Sequence, residues 1–329
     1  MKKAIAFLLS ILLMLGMLSG CGEKAPAPQA DHLRIVTTIF PVYDWVREIL
    51  GDQAENVELT MLLDNGVDLH SYQPTATDIA KISTCDMFIY VGGESDKWVS
   101  DVVKQAGNKD MIALDLMDIL GEKAKEEELK EGMQEDGHEN GEKDHEHEEE
   151  PEYDEHVWLS LKNAMLFTDR IADALSQKDA KHADAFRSNA DKYKKELSDL
   201  DGRYKKTVDE AQVKTLLFGD RFPFRYLTDD YGLDYYAAFI GCSAETGASF
   251  ETITFLSKKV DELGLGTILK IETSDGSVAK TVKENTKSRD QQILTLDSMQ
   301  NVTKDEIDNG KTYLSIMESD LEVLRQALG

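Results

Sequence analysis

Two histidines have the surroundings that a metal ligand needs. His70 follows Asp68 in the segment DLHSYQP, and His156 follows Asp154 in the segment DEHVWL. Imidazole is a common ligand of divalent transition metals, and a carboxylate beside a ligating histidine usually orients its second ring nitrogen. Either histidine alone is also typical of an exposed loop, so spacing alone leaves both interpretations open.

The rest of the chain alternates strand-like and helix-like segments. Apolar runs such as 33–39, 87–91 and 267–271 are separated by amphipathic helices, a rhythm that predicts mostly parallel sheets covered by helices. We predict an α/β fold of two Rossmann-like lobes with a ligand cleft between them, because ligands of such sheets lie beyond the carboxyl ends of the strands. The N-terminal lobe would comprise 32–178 and the C-terminal lobe 212–329, joined by one long rigid helix over 179–211.

Charge and composition limit the partners. The formal net charge is −26 and 41% of the residues are hydrophobic, which disfavours nucleic acid and favours cations. The segment 122–155 holds 17 acidic residues against 4 lysines, and we predict a disordered insertion there. Its three histidines could gather metal loosely or be incidental to a solvated acidic loop; they are His138, His145 and His147.

The N-terminus carries an export signal. Lys2 and Lys3 precede an apolar run over 4–18, which ends in Leu-Ser-Gly directly before Cys21. This pattern is typical of a bacterial lipoprotein signal peptide, here 1–20, with a lipid attached to Cys21. Residues 21–31 have no apolar pattern and would form a flexible tether. We therefore predict an extracytoplasmic protein, anchored to the cell membrane by lipid.

Three segments carry a family resemblance. The run HSYQPTATDIAKISTCDMFIYVGG contains His70, the run DEHVWLSLKNA contains His156, and TYLSIMESDLEVLRQAL closes the chain. They resemble the corresponding regions of the bacterial zinc- and manganese-binding lipoproteins of ABC importers, solute-binding protein family 9, cluster A-I. The resemblance implies two lobes, a connecting helix and one metal as transported cargo, zinc first and manganese second. It also implies a monomer that delivers the metal to a membrane permease with a cytoplasmic ATPase.

The same resemblance assigns the first, second and fourth metal ligands of the family to residues of this chain, but not the third. His70 and His156 match the first two ligands of the family, and Asp297, after the last strand, matches its fourth. Glu155 stands where the family more commonly has a proline. The third place departs from the pattern, because the usual histidine of zinc members falls at Arg221 and the usual glutamate of manganese members falls near Gly241.

Several side chains could replace the missing third ligand. Glu245 is preferred because its loop follows a strand and faces the cleft, while Cys242 is a lesser candidate. Asp220 could substitute for the ligand or neutralise Arg221, and Glu272 points at the cleft by topology. We expect Arg221 to form a salt bridge with Asp220, Glu245 or another cleft carboxylate. We place Cys85 and Cys242 in separate lobes and so expect no disulfide between them.

Three functions compete. The leading one is a metal-binding protein without enzymatic activity, because no nucleophile elbow or phosphate-binding glycine loop is found. The second is a metal-dependent hydrolase that uses the same histidine pair and an open coordination position. The third is a family relative with altered cargo, in which Arg221 and its neighbours recognise an anion or a small chelate.

Overall fold

Two parallel four-stranded sheets form the two halves of the molecule. The computed structural model describes residues 32–134, 152–243 and 247–329. In the first sheet the strand order is β2-β1-β3-β4, and in the second it is β6-β5-β7-β8. The strands are β1 (Leu33–Thr37), β2 (Val57–Met61), β3 (Met87–Tyr90), β4 (Ile112–Asp115), β5 (Thr215–Phe222), β6 (Asp234–Ile240), β7 (Thr267–Ile271) and β8 (Gln292–Leu296).

The predicted α/β class and the parallel sheets are confirmed. Every strand pair within the two sheets is parallel, so the carboxyl ends of the strands in each sheet lie along one edge. In β3, one of the two central strands of the first sheet, Met87, Phe88 and Ile89 are fully buried, as expected for a strand covered by helices on both faces.

Helices surround both sheets. In the first half they are α1 (Phe40–Leu50), α2 (Ala76–Thr84), α3 (Val99–Gln105), α4 (Leu116–Leu120) and α5 (Leu161–Lys178). The long helix α6 (Ala183–Glu210) follows. The second half contains α7 (Arg225–Tyr231), α8 (Phe250–Leu263), α9 (Ser277–Glu284), α10 (Lys304–Asp308) and α11 (Tyr313–Leu328). Among the described residues, none of these helices is both long and apolar enough to cross a membrane.

Helix α6 connects the two halves. It has 28 residues, and its buried side chains recur at steps of three and four, which places them on one face. That face packs against α1 and α5 of the first half and against α7 and α11 of the second. The hydroxyl of Tyr204 in α6 donates to the backbone oxygen of Met317 in α11 at 2.6 Å. The buried positions are Phe186, Ala190, Tyr193, Leu197, Leu200, Tyr204 and Val208.

Trp158, two residues after His156, ties this segment to the second half. Its indole Nε1 donates to the backbone oxygen of Ser298 at 3.0 Å, and its own backbone oxygen accepts from the hydroxyl of Tyr313 at 2.7 Å. The side chains of Trp158 and Tyr313 are almost completely buried. These bonds fix the backbone that presents His156.

The prediction of disorder over 122–155 is wrong at both ends of that segment. Residues 122–134, which we call the strap, lie against the second half: the backbone N–H of Lys125 donates to the hydroxyl of Tyr226 at 3.0 Å, and that of Gln134 donates to the oxygen of Ala238 at 2.9 Å. Residues 152–155 are also described and pair with the strap through the bond from Asp154 N to the Lys125 oxygen at 2.8 Å. Acidic composition predicted solvation, but three strap charges, Lys125, Glu128 and Lys130, pair with opposite charges of the second half.

Other predictions fall outside the described residues. Residues 135–151, with His138, His145 and His147, are among them. So are residues 1–31, with Cys21, and residues 244–246, with Glu245.

Candidate metal centre

His70 lies in the loop that follows β2, within the short 3₁₀ turn Leu69–Ser71. The carboxylate of Asp68 caps this turn by accepting from the backbone N–H of His70 at 3.0 Å. The expected role of Asp68 as the partner of the ring is therefore wrong. The ring Nδ1 instead lies 2.9 Å from Ser95 Oγ and 3.6 Å from Glu155 Oε2, which leaves Nε2 to face the cleft.

His156 is completely buried. Its Nδ1 lies 3.0 Å from Asp154 Oδ1, and the same oxygen accepts from the backbone N–H of His156 at 2.8 Å. With Nδ1–H donated to the carboxylate, the unprotonated nitrogen is Nε2. Here the neighbouring carboxylate has the orienting position that the sequence predicts.

The two imidazoles meet at their Nε2 atoms. His70 Nε2 and His156 Nε2 are 3.1 Å apart. Two nitrogens bound to one tetrahedral zinc at about 2.0–2.1 Å would lie about 3.3 Å apart. Each Nδ1 already has its own partner, so the pair has the spacing and the orientation of two ligands of a single ion.

A third donor completes the group. The ligand atoms of His70, His156 and Cys242 all lie within 4.8 Å of one another. Cys242 follows β6, and both Cys242 and the distant Cys85 are free thiols. Burial, with the nearby carboxylate of Glu127, raises the pKa of Cys242 well above its ordinary value. A bound cation would oppose that effect and favour the thiolate.

The two histidines differ in their affinity for protons. Burial and the neighbouring His156 lower the pKa of His70 to about 3. Burial also disfavours the charged form of His156, but the Asp154 carboxylate outweighs it, and the pKa of His156 is raised above its ordinary value. His70 therefore stays neutral across the physiological range, while protons compete for His156.

Arg221, at the carboxyl end of β5, is paired across the cleft. Its Nη2 forms a salt bridge with the carboxylate of Asp68, and it also contacts Thr273 Oγ1 at 3.4 Å. Its Nη1 donates to the oxygen of Ser243 at 3.3 Å. The expected salt bridge to a cleft carboxylate is confirmed, but the partner is Asp68 rather than Asp220. The Asp220 carboxylate accepts the backbone N–H groups of Arg221 and Ile271.

The place of the manganese-type ligand is closed by packing. A Cβ on Gly241 would lie 2.9 Å from the backbone oxygen of Phe222 and 3.1 Å from Cε1 of His156. A glutamate at this position would need the His156 ring to shift.

The carboxylates of the second half are already engaged. Asp297 Oδ1 accepts from the backbone N–H of Met299 at 2.8 Å, and its Oδ2 lies 3.5 Å from Lys311 Nζ. Glu272 accepts from the backbone N–H groups of Ser298 at 2.7 Å and Gln300 at 3.1 Å. Burial and then the neighbouring Asp297 raise the pKa of Glu272. Neither residue belongs to the described group of His70, His156 and Cys242.

Two carboxylates escaped the sequence reasoning. Glu155 is buried beside His70, and its Oε1 accepts from Ser95 N at 2.9 Å. A Cβ on Gly93, which has φ +77°, would lie 2.3 Å from that oxygen. Glu127 of the strap adjoins Cys242, and burial raises its pKa although interaction with the thiol lowers it. The sequence did contain a signal for Glu155, because this carboxylate stands where the family more commonly has a proline, which carries no charge.

Comparisons with known sequences agree on one family. The family model for the periplasmic zinc-uptake complex component A, ZnuA, matches residues 35–327. The zinc-binding lipoprotein AdcA of Streptococcus pneumoniae is 31% identical over 331 residues, which is 98% of this chain and 61% of AdcA. The chain thus spans about three fifths of the AdcA relatives. The high-affinity zinc uptake system protein ZnuA of Bacillus subtilis is 29% identical over 316 residues, 95% of this chain and 94% of that protein.

Solved structures show the same architecture. The Zn(II)-bound ZnuA-like domain of Streptococcus pneumoniae AdcA has a TM-score of 0.69 and 26% identity, covering 90% of this chain and 98% of that domain. The metal-dependent lipoprotein YcdH of Bacillus subtilis has a TM-score of 0.71 and 25% identity, covering 90% and 99%. With the family model matching most of its length and both sheets in place, the chain belongs to the ZnuA family of zinc-uptake binding components.

Proposed function

We propose that this protein captures a divalent transition metal, zinc first and manganese second, in the cleft where His70 and His156 meet. The observation that carries the proposal is the Nε2–Nε2 distance of 3.1 Å between two rings whose Nδ1 atoms are already engaged. Such second partners fix the ring and raise the basicity of the ligand nitrogen.

The donor set favours zinc. Cys242 is the third donor by position; on coordination its S–H bond breaks, the sulfur binds the metal as thiolate and the proton passes to solvent. A thiolate with two imidazoles suits zinc better than manganese, which prefers oxygen. Asp297 and Glu245 are candidates for a fourth ligand, although Asp297 would first have to leave Lys311.

The metal is a transported cargo in this proposal. Membership of the zinc-uptake family, and the likeness to zinc-binding and zinc-uptake proteins of Streptococcus pneumoniae and Bacillus subtilis, support delivery to an ABC permease with a cytoplasmic ATPase. The chain acts as a monomer outside the cytoplasm, held at the membrane by a lipid on Cys21. Histidines 138, 145 and 147 would raise the local concentration of the metal, and the protein has no enzymatic activity of its own.

Calorimetric titration of the metal-free protein with zinc and with manganese tests the proposal. We expect zinc to bind more tightly than manganese, with a Kd well below micromolar. The absence of binding tighter than about 1 μM, equivalent to about −8.2 kcal/mol, for either metal would refute it. Turnover of ester or phosphate substrates by the zinc-loaded protein would favour the hydrolase instead, and tighter binding of an anion than of a metal would favour an altered cargo.

A further inference from the structure

The carboxylates nearest the two histidines are mostly committed to other partners. Asp154 holds both the ring and the backbone of His156, and Asp68 pairs with Arg221. Asp297 pairs with Lys311, and Glu272 accepts from the loop that follows β8. A metal entering the cleft would have to break one of these contacts to gain any of them as a ligand.

Glu155 also has a buried oxygen, Oε2, without a hydrogen-bond partner among the described residues, but it lies 3.6 Å from Nδ1 of His70, on the side of the ring away from His156. Glu127 of the strap, in contrast, adjoins Cys242. Its Oε1 is buried and has no hydrogen-bond partner among the described residues, which is costly for a carboxylate oxygen.

The side chain of Glu127 interacts with the thiol and the backbone N–H of Cys242 and with the charges of His156 and Asp154. It therefore adjoins the third donor with one oxygen unengaged. Like Asp297 and Glu272, it lies outside the group of donors that are all within 4.8 Å of one another, so its side chain has to move toward the ion on binding.

The strap directs Glu127 inward. The side chain of Glu126 is exposed and that of Glu128, also exposed, pairs with Arg225 at 2.7 Å, while Glu127 between them is partly buried. The backbone of Glu127 is fixed because its N–H donates to the Glu152 oxygen at 2.9 Å. This alternation is that of an extended segment with one face turned to the protein.

We propose that Glu127 is a carboxylate ligand of the captured metal, supplied by the strap and joining His70, His156 and Cys242. This inference rests on the proposed function and deepens it. It assigns the fourth position to a residue from the insertion, not to the carboxylate that follows the last strand.

Charge balance supports this donor set. Two neutral imidazoles leave both charges of a dication uncompensated, and burying a net charge is costly. One thiolate and one carboxylate neutralise it, so the complex of zinc with His70, His156, Cys242 and Glu127 carries no net charge. Zinc accepts carboxylate oxygens at about 2.0–2.2 Å in four-coordinate sites, and the set leaves the pairs of Arg221 and Lys311 intact.

Zinc affinity of matched charge variants tests the inference. Glu127→Gln removes the ligand charge at nearly constant volume, and Glu126→Gln makes the same change on the neighbouring exposed side chain. In competition with a zinc-selective fluorescent chelator, we expect Glu127→Gln to weaken binding by more than the roughly 10-fold minimum seen for outer-shell partners. Glu126→Gln should match the unchanged protein. Equal thermal unfolding of both metal-free variants would establish that each folds.

Cobalt substitution distinguishes a ligand from a positioning residue. Cobalt(II) in place of zinc reports its ligands through visible absorption bands and its thiolate through a charge-transfer band. We expect Glu127→Gln to shift the visible bands while the thiolate band persists. If Glu127→Gln instead loses the thiolate band and its visible bands match those of Cys242→Ser, Glu127 only positions the thiol. That result would overturn the inference.

Other outcomes separate this inference from the proposed function. If Glu127→Gln binds zinc like Glu126→Gln while His156→Ala does not bind, Glu127 is not a ligand and the proposed function stands. If Asp297→Asn loses affinity and Glu127→Gln does not, the family's usual carboxylate is the ligand and the inference is wrong. If the unchanged protein binds neither zinc nor manganese, both proposals fail.

Discussion

The two sides of the cleft hold their polar groups in opposite ways. On the first side, His70 and His156 direct Nε2 at each other across 3.1 Å, and the protein occupies only their far nitrogens. On the second side, Arg221 pairs with Asp68 and Lys311 pairs with Asp297. The protein's own cations therefore stand at or beside the two positions where the family pattern places metal ligands. A suitable residue type at a suitable position is a ligand only when its donor atom is not already engaged.

Removing a histidine from the first side should have the largest effect. His156→Ala deletes a donor and leaves the buried Asp154 with only its backbone partner, so zinc affinity should fall by more than the roughly 10–100-fold cost of losing an outer-shell contact. Titration calorimetry measures it. The control is His182→Ala, since His182 also pairs with an aspartate, Asp179, but lies at the start of α6. Equal losses in the two variants would contradict the site.

Converting Arg221 should make the second side resemble the first. Arg221→His removes the cation that holds Asp68 and places an imidazole where zinc members of the family carry one. We expect zinc affinity to rise about 10-fold, equivalent to about 1.4 kcal/mol, measured by chelator competition. Arg225→His, four residues later and paired with Glu128, is the control. A fall in affinity would show that Arg221 supports the site in its present form.

Releasing Asp297 should have a smaller effect. Lys311→Met removes the ammonium group beside Asp297 and keeps an unbranched side chain of similar length. If Asp297 then gains access to the metal, zinc affinity should rise a few-fold, and the additional change Asp297→Asn should cancel the gain. A double-mutant cycle measures this coupling. Equal affinities in all four proteins would mean that Asp297 has no part in binding.

Acidification should weaken binding through the first side. Because Asp154 holds Nδ1–H of His156, the proton that this ring gains at low pH goes to Nε2, the nitrogen that faces His70 and that we propose binds the metal. The proton that Cys242 releases on binding should weaken zinc affinity by about 10-fold per unit as pH falls. The pKa of His156 is raised above its ordinary value, so its competing proton should add about a further 10-fold per unit as pH falls through that raised value. Measuring Kd between pH 8 and pH 5.5 tests it. A constant slope of log Kd against pH over this range would contradict competition between the proton and the metal at His156.

Much of the fold and half of the site could be predicted from sequence. The spacing of hydrophobic residues predicts the order of strands and helices, because the strand pattern and the helix pattern are both local in sequence. It also located helix α6 within a few residues. His70 and His156 could be proposed because each lies in a distinctive segment, and the structure brings their Nε2 atoms within 3.1 Å of each other. The partnership of Arg221 with Asp68 joins residues 153 positions apart, and no local pattern encodes that distance. From sequence we could predict only that an arginine in the cleft would pair with some carboxylate, not which one.

The strap shows where composition misleads. A segment with a large excess of acid is expected to stay solvated, yet Lys125, Glu128 and Lys130 each pair with an opposite charge of the second half. Whether the strap is ordered depends on the charges of the surface on which it lies, not on its own composition alone. That surface is assembled from α7 and β6, which follow the strap by about a hundred residues, so it could not be inferred from the segment itself.

The length of α6 has a mechanical consequence. A continuous helix of 28 residues extends about 42 Å at about 1.5 Å per residue, and it is packed along its apolar face against both halves. It behaves as a beam rather than as a hinge, since bending it would break backbone hydrogen bonds and buried contacts together. Releasing an ion by a large opening of the two halves would therefore cost much free energy. A local rearrangement of the strap, of the Cys242 loop and of the carboxyl end of β5 with Arg221 would cost less free energy, and we expect a permease to act on these segments.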